Sequence, residues 1–116
     1  MMNRQMVDCK VALYCVVRSK REHKAYGLMR IFCAQSGWTA IDYIDTKFPG
    51  DSQDSAWSRL LADVAAGQYY AVVMWVEQEA KGFDKFCEQY DTHLAVINPF
   101  VLAASTGSWR KVRIGR

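Results

Sequence analysis

Long hydrophobic runs are missing from this chain. The two longest, residues 11–17 and 69–76, are strand-length, against the roughly 20 apolar residues that a membrane span needs. The first runs straight into the charged stretch from Arg18 to Lys24 and not into a small-residue cleavage site, so an export signal is not expected. Proline is scarce: Pro49 and Pro99 are the only two, each lying between periodic segments. Paired cysteines are lacking as well. Cys9, Cys15, Cys33 and Cys87 form no C-x-x-C, and three of them lie in apolar segments. That pattern predicts buried free thiols in a cytoplasmic protein, not a secreted disulfide framework. The two histidines, His23 and His93, stand 70 positions apart and near no cysteine or glutamate at ligand spacing, so no metal centre is expected. Internal repeats and low-complexity stretches are absent too.

What is present is a core. The chain has 116 residues, of which 51% are hydrophobic and 13% aromatic. This is one ordinary domain's worth of sequence, too apolar for a disordered chain and too short for two tandem domains. The formal net charge is +3, but it is unevenly spread. Residues 1–30 hold seven basic and two acidic side chains, residues 31–91 four basic and ten acidic, and residues 92–116 four basic and none acidic. Basic ends on an acidic middle point, by sign, to a partner carrying phosphates. A solvated surface with no specific partner accounts for the same distribution.

Strand then helix is the recurring pattern. Val11-Ala-Leu-Tyr-Cys-Val-Val17 is continuously apolar and rich in β-branched residues, as a strand covered on both faces would be. Next comes a helix with Tyr26, Met29, Phe32 and Cys33 on one face, stopped by Gly37. Residues 39–45 alternate more and read as a strand nearer an edge. Residues 47–55 form a polar loop with the turn signal Pro49-Gly50-Asp51, and Asp54 or Ser55 can cap the next helix. In that helix Trp57, Leu60, Leu61 and Val64 share a face, and Gly67 ends it. Residues 70–76 read as a central strand, Phe83, Phe86, Cys87 and Tyr90 as a helix face, and residues 94–97 as a fourth strand. Residues 100–103 read as a further extended piece, and residues 109–114 are ambiguous.

Strand starts near 11, 39, 70 and 94 are 28, 31 and 24 residues apart, the length of a βαβ crossover. The expected fold is therefore α/β: three layers, with a mostly parallel sheet of four to five strands and helices on both faces. The domain spans residues 10–105, with an extension at 1–9 and a basic tail at 106–116. In such a sheet a site lies at the carboxyl ends of the strands, where strand order switches. That singles out Arg18-Ser19-Lys20-Arg21 after the first strand and Glu77-Gln78-Glu79 after the third.

Neither loop suits a nucleotide. No glycine comes after the first strand until Gly27, so G-x-G-x-x-G and G-x-x-x-x-G-K-[ST] both fail. A response-regulator phosphoacceptor would need an acidic pair after the first strand, and none is there. Phosphodiester chemistry remains: a hydroxyl nucleophile at a strand end, with guanidinium groups to steady charge at phosphorus.

At this point the residues resemble a family. Val11-Ala-Leu-Tyr-Cys-Val-Val-Arg-Ser19 is similar to the opening strand of serine recombinases of the resolvase/invertase type, A-L-Y-x-R-V-S-T. Gly37-Trp38 with Asp42-Tyr43-Ile44-Asp45 resembles the family's G-W…Y-x-D, and Phe48-Pro-Gly50 sits at its S-G loop. Arg59-Leu-Leu-Ala-Asp-Val-Ala-Ala-Gly67 is close to R-L-L-A-D-V-x-A-G. Val72-Val-Met-Trp75 and Leu94-Ala-Val-Ile97 fit the third and fourth strands. The resemblance covers roughly residues 10–110 and implies a resolvase-like catalytic domain, DNA strand exchange in a mobile-element setting, and no cofactor.

The family's active residues do not carry over. Its strand arginine falls on Val16, its nucleophilic serine on Arg18 and its threonine on Ser19. The arginine before the second helix falls on Asp54, and D-R-L-x-R begins on Gln78, with its arginines at Glu79 and Gly82. The first loop is also about four residues short of the family's. The resemblance therefore implies a domain without strand cleavage. In the expected geometry Arg18 pairs with Glu77 or Glu79 across the switch point. Ser19 is the remaining candidate nucleophile. Arg18, Lys20, Arg21 and Lys24, with Arg110, Lys111 and Arg113 of the tail, are candidates for contacting DNA. Further expected partners are a second copy or an active recombinase, and no membrane. In relatives a long subunit-pairing helix and a DNA-binding domain come next. The chain's last residue lies near where that helix would begin, at 106–109, so a family-type dimer through it is not expected. Two other readings stay open: a pure protein-binding module, and a small α/β domain with a non-DNA ligand.

Overall fold

Strand β1, Lys10–Val16, lies inside the sheet with a strand on either side, and every residue after Lys10 is buried. This is why its apolar run does not alternate: both faces are covered. The computed structural model describes residues 9–104 and 113–115, with side chains through residue 101. After β1 come α1 (Lys20–Gln35), β2 (Thr39–Asp45), α2 (Ala56–Ala65) and β3 (Ala71–Trp75). A single 3-10 turn, Val76–Gln78, leads to α3 (Phe83–Gln89), β4 (His93–Ile97), α4 (Pro99–Ala104) and β5 (Arg113–Gly115). The sheet order is β2-β1-β3-β4-β5. The first four strands are parallel, and β5 runs antiparallel beside β4.

The pleat divides the core in two. Ala12, Tyr14 and Val16 of β1, with Val72 and Met74 of β3, face α2 and α3. Val11, Leu13 and Cys15, with Val73 and Trp75, face α1 and Phe100 of α4. The result is a three-layer α/β domain. The chain leaves β1 over one face and β3 over the other, so the loops after these neighbouring strands part and leave a crevice between them.

Edge position explains β2. Only Tyr43 of its seven residues is buried, and Ile41 is exposed. Glycine ends α1 as expected. Gly37 adopts φ +77°, its N–H bonds Ala34 O at 3.1 Å, and Trp38 N–H reaches Cys33 O at 3.0 Å. The Trp38 ring then packs edge-on against Phe32, with centroids 5.6 Å apart. This is a Schellman termination with its apolar clasp.

Two expectations need correcting. Residues 100–103 are not extended but belong to helix α4. Asn98 Oδ1 accepts from Phe100 N–H at 3.2 Å and Val101 N–H at 3.3 Å. Asn98-Pro99 is thus an N-cap with proline at the first helical position, not a break before a strand. The third strand is also shorter than the expected 70–76, running Ala71–Trp75, because Val76 enters the 3-10 turn. Of the ambiguous stretch 109–114, residues 113 and 114 lie in β5; the rest is outside the described residues.

Candidate functional site

Residues 18–22 fold on themselves. Ser19 is the N-cap of α1, its Oγ accepting from Glu22 N–H at 3.2 Å. The Glu22 carboxylate reaches back to Arg18 N–H at 2.6 Å and to Arg18 Nε at 3.1 Å from each oxygen, with Arg18 Nη2 also donating to it. This is close to a capping box, and its signal, serine with glutamate three residues on, was present in the sequence. The Arg18 guanidinium holds the Glu22 carboxyl below the usual carboxylate range. Arg18 also lies over the Phe48 ring, 4.4 Å from its centroid.

The ion pair across the switch point is therefore not the expected one. Arg18 is taken by Glu22, and Arg21 of α1 makes the bridge. Its two terminal nitrogens donate to the Glu77 carboxylate at 3.0 and 2.8 Å. The same guanidinium lies 5.1 Å from the Trp75 ring centroid and 5.0 Å from that of Phe100. Arg18 instead emerges from the loop ahead of α1, beside the β2–α2 loop that carries Phe48. The hydrogen-bonded Arg21 lowers the Glu77 carboxyl below its ordinary value.

Gln78 occupies the centre. Its Nε2 donates to Val16 O at 2.8 Å, and its Oε1 accepts from Val16 N–H at 3.0 Å. Register between β1 and β3 runs only to Tyr14 and Met74, so the amide continues the ladder beyond the end of β3. Nearby, Asp45 closes the start of α2. Its carboxylate accepts from Ala56 N–H at 2.8 Å, Trp57 N–H at 3.1 Å and Tyr14 Oη at 2.7 Å. Of the two candidate caps, Ser55 is the one used, accepting from Ser58 N–H at 2.9 Å. The helix N-terminus, where an external anion would be held, is filled by the chain's own carboxylate. Burial, then Asp45, pushes the Tyr14 phenol far above its usual value.

The remaining candidates scatter. Val16 is wholly buried. Asp54 is exposed in the turn before α2, its carbonyl accepting from Arg59 Nη1 at 3.4 Å. Gly82 caps α3 with φ +82°. Lys20 and Lys24 are exposed on α1. Arg113 belongs to β5, while Arg110 and Lys111 lie outside the described residues. Cys15, Cys33 and Cys87 are buried free thiols, pushed up to about 12 by burial.

Between the β2–α2 loop and the loop after β3 lies an open cleft of about 320 Å³, lined by Tyr14, Trp57, Phe48, Pro49 and Gly50 and by residues 77–80. Glu79, half-buried, is one of its walls. Among the described residues no three His, Cys, Asp or Glu side chains come together as metal donors. No helix of the described residues is long and apolar enough to cross a membrane. No protein-family profile matches the chain, and no curated protein matches it in sequence.

Proposed function

We propose that the chain is a serine-recombinase-type α/β domain that binds and does not cleave, working beside DNA in the cytoplasm, with a second copy or an active recombinase as its protein partner. One observation carries the reading: both guanidinium groups of residues 18–21 are committed to a carboxylate, Arg18 to Glu22 and Arg21 of α1 to Glu77. A phosphodiester undergoing attack needs such groups free to face it. Ser19 Oγ is engaged as a helix cap, and Gln78 spends its amide on Val16. DNA contact then falls to Lys20 and Lys24, with Arg110, Lys111 and Arg113 of the tail.

The test has two arms. Incubation with supercoiled plasmid, then denaturation, yields no serine–DNA adduct and no nick; an adduct on Ser19 overturns the reading. Duplex binding weakens steeply from low to physiological salt, and Lys20→Ala with Lys24→Ala reduces the salt slope. Salt-independent or absent binding removes DNA and leaves the protein-partner role.

The cleft favours a second reading, a small α/β domain with a non-DNA ligand. It sits where doubly wound sheets bind their ligands.

A further inference from the structure

The cleft at the ends of β1 and β3 has spent its charges and hydrogen bonds inside the chain. Glu77 gives both carboxylate oxygens to Arg21, and Glu79 has an interaction of its own within the chain. Val16 uses both ends of the Gln78 amide, and Tyr14 Oη donates to Asp45. The backbone of the walls is occupied too. Pro49 O accepts from Ser52 N–H at 3.0 Å, Ala80 O accepts from Phe83 N–H at 3.1 Å, and Glu79 N–H donates to Val76 O at 3.3 Å. Among the described residues no Lys, Arg or His lines the cleft. An ion entering it sheds water and meets no counter-charge in exchange.

What the walls still offer is ring surface. Tyr14 and Trp57 meet edge-on with centroids 5.0 Å apart, and Phe83 supports Trp57 at 4.8 Å. Phe48 is a third ring on the wall, about half exposed. Each is braced by groups that do not line the cleft. Asp45 holds the Tyr14 hydroxyl and the backbone N–H of Trp57. Arg18 lies 4.4 Å from the Phe48 centroid and is itself anchored by Glu22. The pairing of Gln78 with Val16 pins the facing loop. A site fixed in this way orders little on binding, and ring pairs gain from edge and offset contact beyond the area that they bury.

We infer that the cleft binds a small neutral aromatic molecule, a flat ring without formal charge. Its volume of about 320 Å³ is at the small end of the ~300–1,000 Å³ typical of ligand sites and suits a single ring. The inference deepens the reading of the chain as a small α/β domain with a non-DNA ligand and rests on it.

Four probes of matched size separate ring from charge: benzyl alcohol, its saturated counterpart cyclohexylmethanol, benzylammonium and benzoate. Each is titrated at neutral pH into the isotope-labelled full chain and tracked by amide and indole NMR signals. Benzyl alcohol shifts Gly50, Gln78, Glu79 and the Trp57 indole, and binds about two- to tenfold tighter than cyclohexylmethanol, the range that an aromatic pair supplies. Both ions bind more weakly than benzyl alcohol. Phe48→Leu, at an exposed position, keeps an apolar wall and narrows the preference for the ring. Equal binding of benzyl alcohol and cyclohexylmethanol, or a preference unchanged in Phe48→Leu, overturns the inference. Tighter binding of either ion overturns it alone and leaves a ligand cleft standing. No cleft shift from any of the four at millimolar concentration overturns both the inference and the ligand-binding reading beneath it.

Discussion

Gln78 pairs with Val16 as a neighbouring strand residue would, its amide nitrogen donating to the Val16 carbonyl and its amide oxygen accepting from the Val16 N–H. One side chain thereby ties the loop after β3 to the end of β1. Gln78→Ala leaves the Val16 carbonyl only the weak Cys15 thiol donor, at 3.7 Å, and takes the side-chain acceptor from the Val16 N–H, and stability falls by about 1–3 kcal/mol, read from urea midpoints. Gln78→Glu keeps the acceptor and sets a carboxylate against the Val16 carbonyl. That variant is more stable at pH 4 than at pH 7 relative to the parent, because protonation restores the donor.

Asp45 satisfies two amides at the start of α2 and the Tyr14 hydroxyl together. Asp45→Ala exposes that helix N-terminus and costs about 1–3 kcal/mol. Sulfate then stabilises the variant more than the parent at matched ionic strength, because the vacated position suits an anion. Thermal unfolding in sulfate and in chloride measures this directly.

The carboxyls of Glu22 and Glu77 are both lowered on folding, by hydrogen-bonded Arg18 and Arg21 respectively. A lowered carboxyl adds stability above its unfolded value, near pH 4.3, and loses it as pH falls through the folded value. Urea midpoints therefore hold steady from neutral pH to about 5 and decline below about 4. Glu22→Gln lowers the neutral-pH plateau and flattens that decline.

Gly37 has φ +77°, and a Cβ built on it would meet nothing within 4 Å. Gly37→Ala therefore isolates the conformational cost of a left-handed residue, about 1–2 kcal/mol, with no steric contribution. Urea denaturation at an unchanged m-value reads it.

The sheet could be read from the chain because β1 and β3 carry unbroken apolar runs, and such runs are stable only as strands covered on both sides. The helix faces of Met29, Phe32 and Cys33, and of Leu60 and Val64, were equally plain from their spacing. Helix α4 was obscured because Asn98-Pro99 marks a change of chain direction that suits a helix start and a loop equally well. The crevice was locatable from strand order alone, but its wiring was not. Arg18 and Arg21 are close in sequence and alike in charge; only the placement of Glu22 and Phe48 decides that Arg18 turns to its own helix while Arg21 spans to Glu77. Gln78 could be placed at the end of the third strand, but its pairing with Val16 gave no signal, since a side chain standing in for a backbone segment obeys no spacing rule.

The two margins of the sheet are unequal. On one side β4 is flanked by β5, an edge of three residues running against it. On the other, β2 presents seven residues paired only to β1 among the described residues. Short edges resist lateral addition and long ones invite it. Were two copies to associate by sheet continuation, β2 is the longer edge among the described residues, and a pair meeting through it would use up that edge in each copy and close instead of growing into a filament.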